Sequence, residues 1–96
     1  MKYLLEINEE ANLEAIEAYL YYEKKRAGLG EEFLQHIETY FTRIVANPEH
    51  FLQKRKPYRE AFTRRFPFLI MYEILENKVI VYSVFNTWQD PKEKKK

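Results

Sequence analysis

The sequence predicts an α+β domain in the order β-α-α-β-β-β, an antiparallel helix hairpin packed on one face of a small, mainly antiparallel sheet. Three observations carry this. Two stretches of helical periodicity are separated by only a few residues around Gly28-Leu29-Gly30. One short strand-like run precedes them and three follow. Within YREAFTRRFPFLIMY (Tyr58 to Tyr72), Phe68, Ile70 and Tyr72 alternate with Leu69 and Met71, so both faces are apolar, the pattern of a strand at the centre of its sheet.

Lys2 to Ile7 is apolar but too short for a helix and reads as a strand. Asn8 is a good N-cap, and Glu9 and Glu10 follow where the positive end of a helix dipole favours acids. This helix should run to about Arg26, bury Leu13, Ile16, Tyr19 and Leu20, gather Lys24, Lys25 and Arg26 at its C-terminal end, and stop at Gly28. Phe33, Ile37, Tyr40, Phe41 and Ile44 mark a second helix, ended by Asn47-Pro48 because proline pushes the preceding residue out of the helical region. Glu49 to Pro57 reads as an irregular connection. Strands are expected around Arg59–Arg64, at Pro67–Leu75 and at Val79–Phe85, with a tight turn at Glu76-Asn77-Lys78.

Ninety-six residues with 46% hydrophobic and 17% aromatic content predict one domain over 1–91, followed by a charged tail at 92–96 whose lack of apolar residues predicts disorder. No cysteine is present, which excludes disulfide scaffolds, thiolate metal sites and cysteine nucleophiles and points to the cytoplasm. No apolar run reaches the ~18 residues of a membrane span. The net charge of +1 conceals a division: residues 1–50 hold five basic and ten acidic side chains, residues 51–96 eleven and five. The expected body has an acidic helical side and a basic sheet side, able to steer partners of opposite charge.

Two glycines cannot build a phosphate-cradling loop, and His36 and His50 lack partners at metal-ligand spacing, so no metal or cofactor is implied. His36, beside Phe33 and Tyr40, reads as structural. The candidates that remain are cations among aromatics: Lys54, Arg55, Lys56, Tyr58, Arg59, Arg64 and Arg65. Such a set suits nucleic-acid phosphates with base stacking and equally suits an acidic peptide.

The segments "YYE…AGLGEEF" (Tyr21 to Phe33), "IVANPEHF" (Ile44 to Phe51), "RRFPFLIMYEI" (Arg64 to Ile74) and "VIVYSVFN" (Val79 to Asn86) together resemble the RelE/ParE toxins of type II toxin-antitoxin systems, over nearly the whole chain. The most specific element, Arg65-Phe66-Pro67-Phe68, is similar to the Arg-Phe-Pro-Tyr signature of the ParE-like branch. The resemblance implies a toxin neutralised by an antitoxin and acting either on DNA gyrase, as ParE-like members do, or on ribosome-bound mRNA, as RelE-like endoribonucleases do. A non-toxic protein-binding module is the third reading. A homodimer is left open.

RNA-cleaving relatives carry two basic residues at alternate positions on the strand entered from the tyrosine; here Tyr58 is followed by Arg59 and then Ala61. They carry an arginine after the aromatic that opens the long strand; here Leu69 follows Phe68. Attack by a ribose hydroxyl needs a base, an acid and cations on phosphorus, and only cations are well supplied. Tyr58, His50, Arg59 and Arg64 are weak catalytic candidates, so the ParE-like, non-enzymatic reading is favoured. The expected antitoxin or target surface comprises Lys54, Lys56, Arg59, Phe62, Arg64, Arg65 and Trp88, because six cations and a single acid lie between Gln53 and Arg65.

Overall fold

The chain enters through a short strand, β1 (Leu4–Ile7), and turns at once into α1 (Glu9–Lys25). Asn8 sits in extended backbone, and its Oδ1 accepts the N–H of Glu9 at 2.8 Å. The computed structural model describes residues 2–87, so the tail expected at 92–96 lies outside the described residues.

The hairpin corner differs from expectation. Arg26, in extended backbone, is the C-cap of α1, while Gly28, at φ 91°, is the N-cap of α2 (Leu29–Ala46). A glycine has no side chain to satisfy the first N–H groups of α2. The Glu23 carboxylate does so from α1, one oxygen accepting Gly28 N–H and the other Gly30 N–H, both at 2.8 Å. Gly30 is pressed against α1 closely enough that a Cβ there would lie 2.6 Å from the Tyr19 carbonyl oxygen.

The face of α1 that turns inward is only in part the expected one. The expected face was Leu13, Ile16, Tyr19 and Leu20, but Leu13 is 54%, Ile16 45% and Leu20 56% exposed. Of the four only Tyr19 packs on the core, partly buried, in the company of buried Ala11 and partly buried Ala18 and Tyr22. Small alanines let a helix backbone sit close to the surface beneath it, where leucines would hold it away. On α2 the expected stripe is the observed one: Phe33, Ile37, Tyr40 and Ile44 are buried, and Phe41 is half-buried.

Four further strands complete the sheet: β2 (Leu52–Arg55), β3 (Tyr58–Phe62), β4 (Phe68–Leu75) and β5 (Lys78–Asn86). Their spatial order is β1-β5-β4-β3-β2, antiparallel except for β1 on β5. β2 lies in the segment read as irregular; its four residues are all exposed, so no alternation of burial marked it. The Glu76-Asn77 turn places its positive φ, 57°, on Glu76, and the Asn77 carbonyl accepts Leu4 N–H at 2.8 Å, tying β1 to the hairpin.

β4 holds the centre of the sheet as expected, but only one of its faces is covered. Phe68, Ile70 and Tyr72 are buried beneath the helices, whereas Leu69 and Met71 on the open face are half-buried. Around Phe33 the aromatic rings of Tyr22, Phe66 and Phe68 meet at centroid distances of 5.4, 5.5 and 4.9 Å. Edge-to-face and tilted contacts of this kind add to area burial.

The Gly30 contact is directly testable. Gly30→Ala should lower the urea-unfolding stability by about 1–3 kcal/mol, because the added methyl meets backbone that cannot swing away. An unchanged midpoint at constant slope would show that the helices separate freely.

Candidate functional site

Register sorts the expected cations by face. Arg59 pairs with Tyr72 and Ala61 with Ile70, which puts Arg59 on the helix side of β3. There its guanidinium donates to the carbonyls of Glu49 at 3.2 Å and Phe51 at 2.9 Å, holding the connection that follows α2. Tyr72, fully buried, donates its hydroxyl to the Pro48 carbonyl in the same connection at 2.6 Å. Burial pushes the Tyr72 phenol up to about 12 against a smaller opposing pull from Arg59.

Arg65 is also taken up within the fold, contrary to the idea that Glu60 alone could oppose this cluster. It pairs with Glu32 of α2, which also lies 3.6 Å from Arg26. The hydrogen bond to Arg65 is the largest influence holding the Glu32 carboxyl below its usual range. Arg65 N–H donates to His36 Nε2 at 3.3 Å, and the imidazole packs on Tyr40 and Phe66 at 5.1 and 5.7 Å. Desolvation, then the charges of Arg65 and Arg43, push the His36 pKa down.

The open sheet face is therefore not the basic surface expected. Glu60 pairs across to Met71 and Glu73 to Tyr58, placing two acids and no arginine along β3 and β4 on that face. Tyr82 donates to Glu73 at 2.8 Å and its ring meets Tyr58 at 5.8 Å. Lys54 and Lys56 are exposed at the β2 edge and its turn, away from Arg64 and Arg65, which lie in the β3–β4 connection. Trp88 lies outside the described residues.

Three expected residues, His50, Phe62 and Arg64, do converge. With Tyr40, Arg43, Ala46 and Asn47 of α2 and its end, and with Phe51, they line a cavity of about 490 Å³. Arg43 stacks its guanidinium over the Tyr40 ring at 5.0 Å. Tyr40, Arg43 and Asn47 give little local sign of a site in the sequence, because Tyr40 fits the buried stripe and the others read as a helix end. Arg43 lies off that stripe in the last turn, which was the available signal. Among the described residues no group of His, Cys, Asp and Glu side chains could hold a metal ion, and no helix is long and apolar enough to cross a membrane.

Set against known proteins, residues 5–91 match the family of ParE toxins of the type II toxin-antitoxin system parDE. The chain belongs to that family. A chain of the chromosomal ParDE system from P. aeruginosa superposes with a TM-score of 0.74 at 13% identity, covering 88% of this chain and 96% of the other. The intact E. coli RelBE toxin-antitoxin complex contains a chain matching at TM-score 0.59 and 15% identity, over 91% and 99% of the two chains. A mutant of the E. coli toxin RelE in the free state matches at TM-score 0.57 and 15% identity, over 98% and 93%. At these identities the likeness is one of fold. A comparison with curated proteins finds no match by sequence.

The pH dependence of stability follows from His36. Its folded pKa is depressed, so its contribution is complete above the ordinary value of 6.5 and is lost as pH falls through the lower folded value. Urea titrations of the parent and His36→Gln should therefore show a gap that shrinks on acidification from about pH 8 to pH 5. A gap that is constant or widens would contradict the assignment of Nε2 as acceptor.

Proposed function

We propose that this chain is a toxin neutralised by a cognate antitoxin and that it arrests growth by binding its target, DNA gyrase by inheritance from the ParE branch, rather than by cutting mRNA. The observation that carries this reading is the open sheet face. Phosphoryl chemistry on RNA needs cations where charge gathers on phosphorus. On that face Leu69, Met71, Glu60 and Glu73 stand instead, and Arg59 points to the helix side and is engaged by two carbonyls. Two carboxylates on the face would repel an RNA backbone. The RelE-like endoribonuclease is the second reading, favoured by the likeness to RelE chains and by the Tyr58–Tyr82 pair, whose hydroxyls could serve proton transfer.

Expression in a bacterial host with and without the neighbouring reading frame should give growth arrest only in its absence. The purified protein should inhibit gyrase supercoiling and leave mRNA intact in a translating extract; codon-phased cleavage there would reverse the order of the two readings. Replacing Lys54 and Lys56 with Gln should slow association with the antitoxin and flatten its salt dependence, since neither has a carboxylate partner among the described residues. Arg65→Gln should instead act through stability, because its charge is already paired. Stopped-flow traces across a range of salt separate the two effects.

A further inference from the structure

Helix α1 carries apolar side chains on two opposite sides. Buried Ala11 and partly buried Ala18 and Tyr22 face the core, whereas Leu13, Ile16 and Leu20 are each about half exposed. At about 100° per residue these last three fall within roughly 60° of one another, on the side of the helix opposite Ala18. Their spacing, three residues and then four, is that of a seam along which one helix packs on another. Single exposed leucines need no explanation, but a helix apolar on both sides is ordinarily covered on both.

The stripe complements itself when its direction is reversed. Leu13 and Leu20 lie equally far from a midpoint between Ile16 and Glu17, and so do Glu9 and Lys24, which flank the stripe on the same side of the helix. Neither Glu9 nor Lys24 has an ion-pair partner among the described residues. Two copies of α1 laid antiparallel about that midpoint set Leu13 of each against Leu20 of the other and bring both Ile16 side chains to the centre. Glu9 of each copy then lies beside Lys24 of the other. A parallel pair would instead oppose Glu9 to Glu9 and Lys24 to Lys24, with the helix dipoles aligned against each other. Acids along the border also disfavour a lipid surface, for which an amphipathic helix carries Lys and Arg there.

We propose that the outward face of α1 binds a second copy of this chain, the two helices antiparallel about a two-fold axis beside Ile16. Such a contact uses the same patch on both copies and therefore closes at two. The inference is independent of what the chain acts on. Glu17 stands beside the same axis, so pairing brings two like charges together. One helix from each copy is also a small interface, and the expected dimer is weak, with a dissociation constant on the order of 10–100 µM.

Sedimentation equilibrium of the full chain up to about 0.5 mM measures it, a range that reaches well past the affinity expected of a small interface. Leu20→Glu should leave a monomer. Glu9→Lys and Lys24→Glu should each weaken the dimer about tenfold, since either turns two exposed ion pairs repulsive, and the two together should restore the parent affinity. Glu17→Gln should tighten it about threefold, by removing one exposed like-charge pair. The chain has no cysteine, so direction can be read by oxidation. Leu13→Cys mixed with Leu20→Cys should form a disulfide-linked dimer that neither variant forms alone. Circular dichroism checks that the variants, all at exposed positions, fold. A monomer at every concentration, a dimer indifferent to Leu20→Glu, or failure of the double charge reversal to restore affinity overturns the proposal. Self-crosslinking of Leu13→Cys alone overturns it in favour of parallel helices. A monomeric parent whose Leu20→Glu variant loses binding to the product of the neighbouring reading frame overturns it too, assigning the face to that protein.

Discussion

Helices α1 and α2 approach so closely at Gly30 that a single methyl group would collide with the Tyr19 carbonyl, and much else in the structure answers to that constraint. At this separation the Glu23 carboxylate takes the N–H groups of Gly28 and Gly30 at the start of α2. Along α1 Ala11 is buried and Ala18 partly so, while Leu13, Ile16 and Leu20 are left outside despite their helical spacing. The two helices then share one face of the sheet as a tight pair. The end of α2 meets the sheet beside β3, where Tyr40 and Arg43 stand near Phe62 and Arg64.

What the sequence made legible was whatever a local period specifies. The α2 stripe and the alternation of Phe68, Ile70 and Tyr72 each fix a buried face within one element, and both are found as read. α1 is less legible because its sequence supports two stripes, one of alanine and tyrosine and one of leucine and isoleucine, and the expected face shares only Tyr19 with the buried one. Hydrophobicity ranks the second higher, and which of the two is buried depends on packing against other elements, which no local period records. β2 was missed because an exposed edge strand has no buried face to pattern it. The fates of Arg59 and Arg65 were hidden for a related reason: their partners, the Glu49 and Phe51 carbonyls and Glu32, are far enough away in sequence that counting charges in a window could not find them.

Membership of the ParE toxin family fixes the scaffold more firmly than the surface. Identities of 13% and 15% to solved relatives with the same fold mean that most side chains have been exchanged around a retained arrangement of backbone. Function resides in what each chain mounts on that arrangement. Here the open sheet face has glutamates and a tyrosine pair, while Arg43 and Arg64 line a cavity where the end of α2 meets β3.

The connection after α2 is held from beneath by Tyr72 and Arg59, which donate to the carbonyls of Pro48, Glu49 and Phe51. A segment so anchored to the middle of a sheet has little configurational freedom to surrender when something settles against it. Association at such a wall forfeits the partner's entropy and little of its own, so a short, weakly contacting segment can still be held there.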